Sequence, residues 1–461
     1  MVQRLSNAPP KGTSDWLPEE FAIRKYIFDA WRRVNCQFGF QEYMTPIFEL
    51  ADIYRAKSGE DVGGKELLVV TDRGGRDLAI RPEMTPSVTR MVTRFYRQTQ
   101  KPLRLFSIAN FWRNERPQRG RNREFWQLNS DIFGSTSINA DIEILQLALH
   151  LMLAFQPPAG AFTLFINHRH LIDTVLQTIA GVPDEANVQT VRVLDKYGKL
   201  PQEAFLASLN KLGLSQQTAD LLLQFMQSQS AEALLENFPR LKEDAGYLET
   251  SRIFQALQAT GFGDWIRFKP SLIRGFDYYD GMVFEVFDNN PENNRSMFGG
   301  GRYNGLAHLF GGEDIPALGF APGDETTRLF LESWNLVPEH LSQNRTIYLP
   351  LLDDSLADAA IALASELRQA GLYIEQGLEA QSFRAALKTA DRKGAAYVIL
   401  LGTDEVSQGM VSLKDMRTGD QERLTKSDLI KKLQDSALTP WPPLPFEMGE
   451  GESRSDGGEG R

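Results

Sequence analysis

The sequence predicts an α+β protein: a β-rich core, a helical insertion within it, and a separate carboxy-terminal α/β domain. Three observations carry that prediction. Residues 106–134, FSIANFWRNERPQRGRNREFWQLNSDIFG, read as two strands joined by an arginine-rich loop. Residues 171–261 are helical in pattern throughout. Residues 346–433 alternate strand and helix, as a small, largely parallel sheet flanked by helices would. The expected layout is a core at 1–170 and 262–332, an insertion at 171–261, a polar linker at 333–345, and a terminal domain at 346–434. The tail, 435–461, is proline-rich and then rich in Gly, Glu and Ser, a composition expected to stay disordered.

The hairpin is the informative element. A period of two sets Arg123, Phe125, Gln127, Asn129 and Asp131 on one face, with Trp126, Leu128 and Ile132 mostly on the other. The polar face carries amides, a carboxylate and a flat ring at regular intervals. Beside it stand Arg113, Arg116, Arg119, Arg121 and Arg123. Guanidinium forks suit phosphate oxygens and the ring suits a base, so the face reads as a floor for a phosphorylated aromatic ligand plus a small polar one. The plain alternative is a solvated hairpin with a basic tip.

The chain has 461 residues, enough for two or three domains, and its 42% apolar and 24% charged content is ordinary for a soluble globular protein. A net charge of −10 argues against non-specific binding to nucleic acid or anionic membranes but leaves room for a local basic patch. The single cysteine, Cys36, excludes an intrachain disulfide framework and a cysteine-based zinc site, and fits a cytoplasmic location. The first twenty residues hold no apolar run, so no secretory signal is expected; no stretch is long and apolar enough to cross a bilayer.

Other stretches place further candidates. Glu20–Phe38 has helical periodicity and ends at Gly39. Phe40–Glu49 reads as an edge or bent strand because of Pro46. Strands at 67–71 and 77–81 bracket a turn at Asp72–Gly75. Thr85 is expected as an N-cap with Pro86 opening a helix to about Tyr96, which sets Glu83 and Thr85 at a strand-to-helix corner. A helix is expected at Asp141–Phe155 and a short strand at Phe162–Ile166. His168 and His170 lack a nearby third ligand, so no metal is expected there. In SLIRGFDYYDGMVFEV, Arg274 stands close to Tyr278 and Tyr279. In FGGGRYNGL, three glycines mark either a close backbone approach over a ligand or a loose turn; the spacing fits neither a P-loop nor a dinucleotide fingerprint. Arg384, Lys388 and Arg392 form one basic stripe on a helix of the terminal domain, either a nucleic-acid contact or a solvated face.

Taken together, KGTSDWLP, FGFQEYMTPIFE, RPEMT, RNERPQRGRNREFWQ, IRGFDYYDG and VSLKDMRTGDQ resemble the histidyl-tRNA synthetases, a family of class II aminoacyl-tRNA synthetases. The resemblance covers nearly the whole chain up to about Gln434. It implies a class II synthetase-like antiparallel catalytic sheet, an anticodon-binding-like terminal domain, a homodimer, and the substrates histidine, ATP and histidine tRNA. Magnesium would come with ATP, with no protein-held metal. By motif, Arg113 would grip the α-phosphate, Phe125 would stack on adenine, and Glu115 and Arg121 would also serve ATP. Glu83, Thr85 and Gln127 would hold the α-amino group of histidine. Asp131 and Tyr279, with Tyr278 beside them, would bind its imidazole. Arg274 would neutralise the carboxylate and the developing phosphorane, so that Arg274 and Arg113 carry the catalysis. Gln118, Arg119, Arg384 and Lys388 would meet tRNA.

Two departures from the family pattern stand out. Asp131 stands where many members have Glu, although the Gln-x-x-x-Asp form occurs in other branches. The usual Gly-x-Glu-Arg becomes Gly323-Asp324-Glu325-Thr326, so the arginine expected over the γ-phosphate is Thr326. Arg328, about 200° further round a helix, is a poor substitute, and Arg121 is the candidate replacement. The alternative function is a catalytically inactive, synthetase-like regulatory subunit of ATP phosphoribosyltransferase, which the altered third motif alone favours.

Overall fold

A computed structural model describes residues 6–56, 61–273, 279–293, 295–341 and 347–437. The chain forms two units, Met1–Val337 and Pro338–Arg461. Of the tail expected to be disordered from 435, residues 435–437 instead end the last helix, and 438–461 lie outside the described residues.

Helix α1 (Pro18–Gln37) takes Pro18 into its first turn, where a missing N–H costs nothing. Gly39, just past its end, has φ 75°, a conformation glycine adopts without a Cβ penalty. The segment around Pro46 does not run as one strand. It splits into β1 (Gln41–Glu42) and β2 (Phe48–Leu50), because proline cannot donate to a ladder. Helix α2 (Ala51–Arg55) follows, and β3 (Val69–Thr71) and β4 (Asp77–Ile80) form the expected hairpin beside β2.

Helix α3 (Thr85–Phe95) starts one residue earlier than the capping rule predicts. Thr85 is its first helical residue, and Met84 takes the cap position without a capping bond. Pro86 is tolerated within the first turn because its absent donor would be unpaired there anyway.

Strands β5 (Leu103–Trp112) and β6 (Glu124–Phe133) pair antiparallel without slip from Leu103↔Phe133 to Trp112↔Glu124. Helix α4 (Ile138–Leu153) is capped by the Ser137 hydroxyl, which accepts from Asn139 N. After β7 (Phe162–His168) comes the helical run: α5 (Arg169–Asp173), α6 (Asp184–Leu194), α7 (Gln202–Asn210), α8 (Gln216–Met226), α9 (Ala231–Asn237) and α10 (Ala245–Ala259). The chain then returns to the sheet as β8 (Ile266–Phe268), β9 (Met282–Asp288), β10 (Arg295–Arg302) and β11 (Ala317–Phe320), and closes on α11 (Asp324–Ser333).

The sheet order is β1-β5-β6-β11-β10-β9-β7-β8. Its inner pairings are all antiparallel, and only the outer pairs β1–β5 and β7–β8 are parallel. The apolar face of β6 packs backwards: Trp126 lies 5.4 Å from Phe28 of α1, and Leu128 and Ile132 are fully buried. Ser130 donates to the Asn35 side chain at 2.7 Å, which ties β6 to the same helix. The polar face is thereby left pointing the other way.

A buried ion pair fixes the junction of β10 and α4. Arg302 Nε donates to Asp141 Oδ1 at 3.1 Å, a second nitrogen meets Oδ2, and Nη1 donates to Ser135 O at 2.8 Å. Both side chains are almost wholly buried.

In the second unit, β12 (Ile347–Leu349), α12 (Ala357–Gln369), β13 (Ile374–Gln376), α13 (Phe383–Arg392), β14 (Tyr397–Leu400), α14 (Thr403–Gln408), β15 (Met410–Asp415), β16 (Gln421–Thr425) and α15 (Lys426–Ala437) build a five-stranded sheet of order β13-β12-β14-β15-β16. The expectation of a largely parallel sheet is corrected: β13–β12 and β12–β14 are parallel, but β14–β15 and β15–β16 are antiparallel. The signal was absent because β16, QERLT, is polar and mostly exposed, with no alternation to betray an edge strand.

Asp141→Ala is expected to destabilise the first unit by about 3–5 kcal/mol, since it strands a buried guanidinium. Urea unfolding followed by fluorescence checks it; a loss below about 1 kcal/mol would show that Arg302 is solvated after all.

Candidate active site

The polar face of β6 floors a cavity of about 210 Å³. Gln127, Asn129 and Asp131 line it from the floor, and Arg113 lines it from the end of the paired strand. Glu83 and Thr85 enter from the corner that precedes α3, and Tyr279 enters ahead of β9. Seven residues singled out from sequence thus share one space. Arg274 and Tyr278 lie outside the described residues.

Asp131 is the chemical centre. Its side chain is buried, and Tyr303 donates to Oδ1 at 2.5 Å. Among the described residues Oδ2 is buried without a hydrogen-bond partner, as is the Asn129 amide nitrogen. Burial pushes the Asp131 carboxyl up to about 7, and the tyrosine hydrogen bond restrains that rise. Burial and the neighbouring carboxylate drive the Tyr303 phenol well above its ordinary value, so it stays a donor.

Gln127 is oriented by its surroundings. Nε2 donates to Ala321 O at 3.2 Å, which turns the amide oxygen towards the cavity as an acceptor. Glu83 is buried at 4% exposure and brings a second carboxylate. One end of the cavity is therefore rich in acceptors, as an ammonium group requires.

Arg113 brings a cation to the same cavity, with an aromatic ring beside it. Arg113 Nε donates to Pro82 O at 3.0 Å, and its guanidinium carbon lies 5.2 Å from the Phe125 ring centre. Phe125 is supported by Phe111 beneath it, stacked at 5.7 Å. Beyond Phe125 the loop turns back. Gln118 and Arg121 exchange backbone hydrogen bonds, and Gly120 takes φ 73° at the tip. Arg121 pairs with Glu115 at 3.5 Å and is otherwise exposed, as are Gln118 and Arg119.

The glycine run is a close approach, not a loose turn. A Cβ on Gly300 would lie 2.3 Å from Gly319 O, and one on Gly301 would lie 2.6 Å from Met282 O. Gly299 lines the cavity itself. Sequence reasoning missed Gly319, where a Cβ would fall 2.1 Å from Asp131 Oδ1. It also missed Tyr303, whose one signal was its place two residues after the glycine run.

The helix start at 323–326 serves packing. Asp324 is buried, accepts from Trp126 N at 3.0 Å and pairs with Arg24 at 3.1 Å. Burial raises its carboxyl to about 6 even against the Arg24 charge. Arg328 is held by Glu325 at 2.7 Å and by Glu332, so it is committed elsewhere. Thr326 donates its hydroxyl to Met297 O at 3.2 Å and Gly323 O at 3.0 Å. His168 and His170 face Glu249 and Asp244. On α13, Arg384, Lys388 and Arg392 are exposed together. Among the described residues no helix is long and apolar enough to cross a membrane.

An antiparallel sheet that floors such a two-ended cavity, followed by a separate α/β unit, defines a class II synthetase-like protein. The family model described as histidyl-tRNA synthetase matches residues 12–324, and that of an anticodon binding domain matches residues 341–436. A histidine–tRNA ligase of Leptospira biflexa is 38% identical over 94% of this chain and 98% of its own length. One from Pyrococcus horikoshii is 34% identical over 94% and 99%. By fold, the chain is similar to the crystal structure of histidyl-tRNA synthetase from Nostoc sp., with TM-score 0.79, 20% identity, and coverage of 94% and 100%. It is also similar to an ATP phosphoribosyltransferase regulatory subunit/histidyl-tRNA synthetase from Bacillus halodurans, with TM-score 0.71, 22% identity, and coverage of 84% and 97%. The chain belongs to the histidyl-tRNA synthetase family. The relatives with substantial sequence identity are ligases, which leaves the regulatory-subunit alternative without better support.

The Asp131 carboxyl, displaced to about 7, predicts that kcat/KM for histidine falls as pH drops through that region, because protonation removes an acceptor. Tyr303→Phe removes the bond that lowers this carboxyl and is expected to move the acidic limb to higher pH. The substrate's own imidazole also titrates near there, but a tyrosine mutation cannot move it. An acidic limb unchanged in Tyr303→Phe would exclude Asp131 as its source.

Proposed function

We propose that this chain attaches histidine to histidine tRNA in two steps, through a histidyl-adenylate made in the cavity on β6. The observation that carries the reading is the buried Asp131 carboxylate, one oxygen held by Tyr303 and the other, among the described residues, without a hydrogen-bond partner, in a cavity that Arg113 also lines. A carboxylate with one lone oxygen is a receptor for a ring N–H. With Tyr279 nearby, it fixes one imidazole tautomer and so separates histidine from other amino acids.

The amino acid then lies with its ammonium group on Glu83, Thr85 and the Gln127 oxygen, and its carboxylate towards Arg113. ATP lies with adenine over Phe125 and its α-phosphate on Arg113, with Glu115 and Arg121 beside it. Attack of a carboxylate on phosphorus brings two anions together. Arg113, already held by the Pro82 carbonyl, stabilises the charge that develops, and Arg274 would add a second guanidinium. Magnesium would arrive on the phosphates of ATP, since a small hard cation keeps most of its waters and needs only one or two ligands from outside them.

Gln118 and Arg119 project from the loop where the tRNA acceptor end must enter, and Arg384 and Lys388 offer phosphate contacts on the terminal unit. Met44, Ile47, Phe48 and Leu50 are exposed apolar residues around the broken strand. A second copy of the chain covering them would give a homodimer. The cytoplasm, where charged tRNA is used, is the expected location.

Histidine-dependent ATP–pyrophosphate exchange tests the reading directly. Gln127→Ala should raise KM for histidine about ten- to a hundredfold while leaving KM for ATP within about twofold. Absence of exchange in the unmodified chain would refute the reading.

Arg384→Glu combined with Lys388→Glu should leave exchange unchanged and raise KM for tRNA about tenfold or more, with a weaker salt dependence. Charging that is insensitive to both changes would make that stripe a solvated face.

A further inference from the structure

An arginine from a different part of the chain grips the tip of the arginine loop, which itself carries Arg119 and Arg121. Arg295, the first residue of β10, donates from Nη1 to Arg119 O at 3.0 Å and from Nη2 to Gly120 O at 3.4 Å. The approach is so close that a Cβ on Gly120 would sit 1.7 Å from Nη2. Two of five guanidinium donors are thereby used and three remain. Among the described residues, neither Arg295 nor Arg119 has an ion-pair partner, whereas Arg121 has Glu115 at 3.5 Å. Burial, with the like charges of Arg121 and Arg119, lowers the Arg295 guanidinium below its ordinary value. Glu115, Glu325 and Asp288 offset these like charges only in part, since the Arg295 guanidinium is lowered in spite of Glu325 and Asp288, and an anion placed among the arginines would remove the remaining cost.

The backbone shows how Arg295 comes to be there. Register along β10–β9 runs Ser296↔Phe287 and then Phe298↔Val286, so Met297 is the extra residue of a β-bulge. The carbonyl of Met297 accepts from the Thr326 hydroxyl at 3.2 Å. The residue that stands where a cation is expected therefore braces the bulge two positions from Arg295. Glu325, next to Thr326, faces the same guanidinium closely enough to oppose the lowering by the loop arginines.

The position also fits the reaction. In-line displacement places the leaving pyrophosphate opposite the attacking carboxylate. Histidine occupies the Gln127–Asp131 end of the floor, so the leaving group points past Arg113 and Phe125 towards the loop tip. We infer that Arg295 binds the β- and γ-phosphates of ATP, as the cation that this chain supplies from β10 in place of the neutral Thr326, with Arg119 and Arg121 completing the site. The inference rests on the proposed histidine activation and names the residue that holds its leaving group.

The test compares Arg295→Gln and Arg295→Ala with the unmodified chain. Glutamine keeps an N–H donor for the loop carbonyls and removes the charge. Both variants should raise KM for ATP in exchange, and KM for pyrophosphate in the reverse direction, on the order of ten- to a hundredfold. KM for histidine and the affinity for AMP should stay within about twofold, because neither ligand carries the distal phosphates. Thr326→Arg added to Arg295→Ala should recover much of the ATP affinity. Equal weakening of ATP and AMP would reduce Arg295 to a pin for the loop and overturn the inference, as would an unchanged KM for ATP in Arg295→Gln. If the unmodified chain shows no histidine-dependent exchange, it is the proposed activity that fails. Binding of ATP against AMP by titration calorimetry still decides the role of Arg295 in that case.

Discussion

A carboxylate taken out of water in the wall of a cavity is costly, and the first unit is arranged around holding one there. Burial of Asp131 drives its carboxyl up to about 7, and the single strong hydrogen bond from Tyr303 keeps it near ionisation at neutral pH. Among the described residues Oδ2 has no hydrogen-bond partner, so the carboxylate is held through one oxygen only, and the packing of the sheet around it offsets that cost. Its position depends on Gly319 and on the glycine run of β10, because side chains there would displace Asp131 or push the strands apart.

Rigidity comes from the back of the sheet. α1 lies against the apolar face of β6 and reaches it through Asn35–Ser130 and Arg24–Asp324. Asp324 in turn holds the Trp126 backbone. The start of α11 is thereby committed to fixing β6, and its neutral Thr326 to bracing β10. The loop after β5 carries its arginines at a tip that Arg295 grips through the Arg119 and Gly120 carbonyls. The floor of the cavity thus rests on strand positions with locked neighbours, and the arginines sit on a loop pinned at its tip.

Much of this was legible because alternation on β6 is a local property. Phe125, Gln127, Asn129 and Asp131 fall on one face whatever the rest of the chain does, and the ladder to β5 keeps that register. The corner bearing Glu83 and Thr85 was also found, although the helix starts on Thr85 rather than after it. The cap rule weighs side-chain hydrogen bonds, whereas here a proline in the first turn set the start. The terminal sheet was read as more parallel than it is, since an exposed polar edge strand carries no hydrophobic period. Arg121 was the sole arginine nominated for the distal phosphates; it is already paired with Glu115, and Arg295 drew no notice in an unremarkable polar stretch.

The sequence by itself determined most of the elements, the inward face of β6 and the arginine loop, each of which depends on residues within a few positions of one another, and its motifs carried the resemblance. Only the tertiary structure decided which oxygen of Asp131 is held and by what, since Tyr303 lies 172 residues away. It likewise decided that Arg295, 176 residues from the carbonyl it grips, belongs to the loop, and that Thr326 braces a bulge. Such contacts follow from how strands order themselves in a sheet and where a bulge shifts the register, and neither leaves a period in the chain.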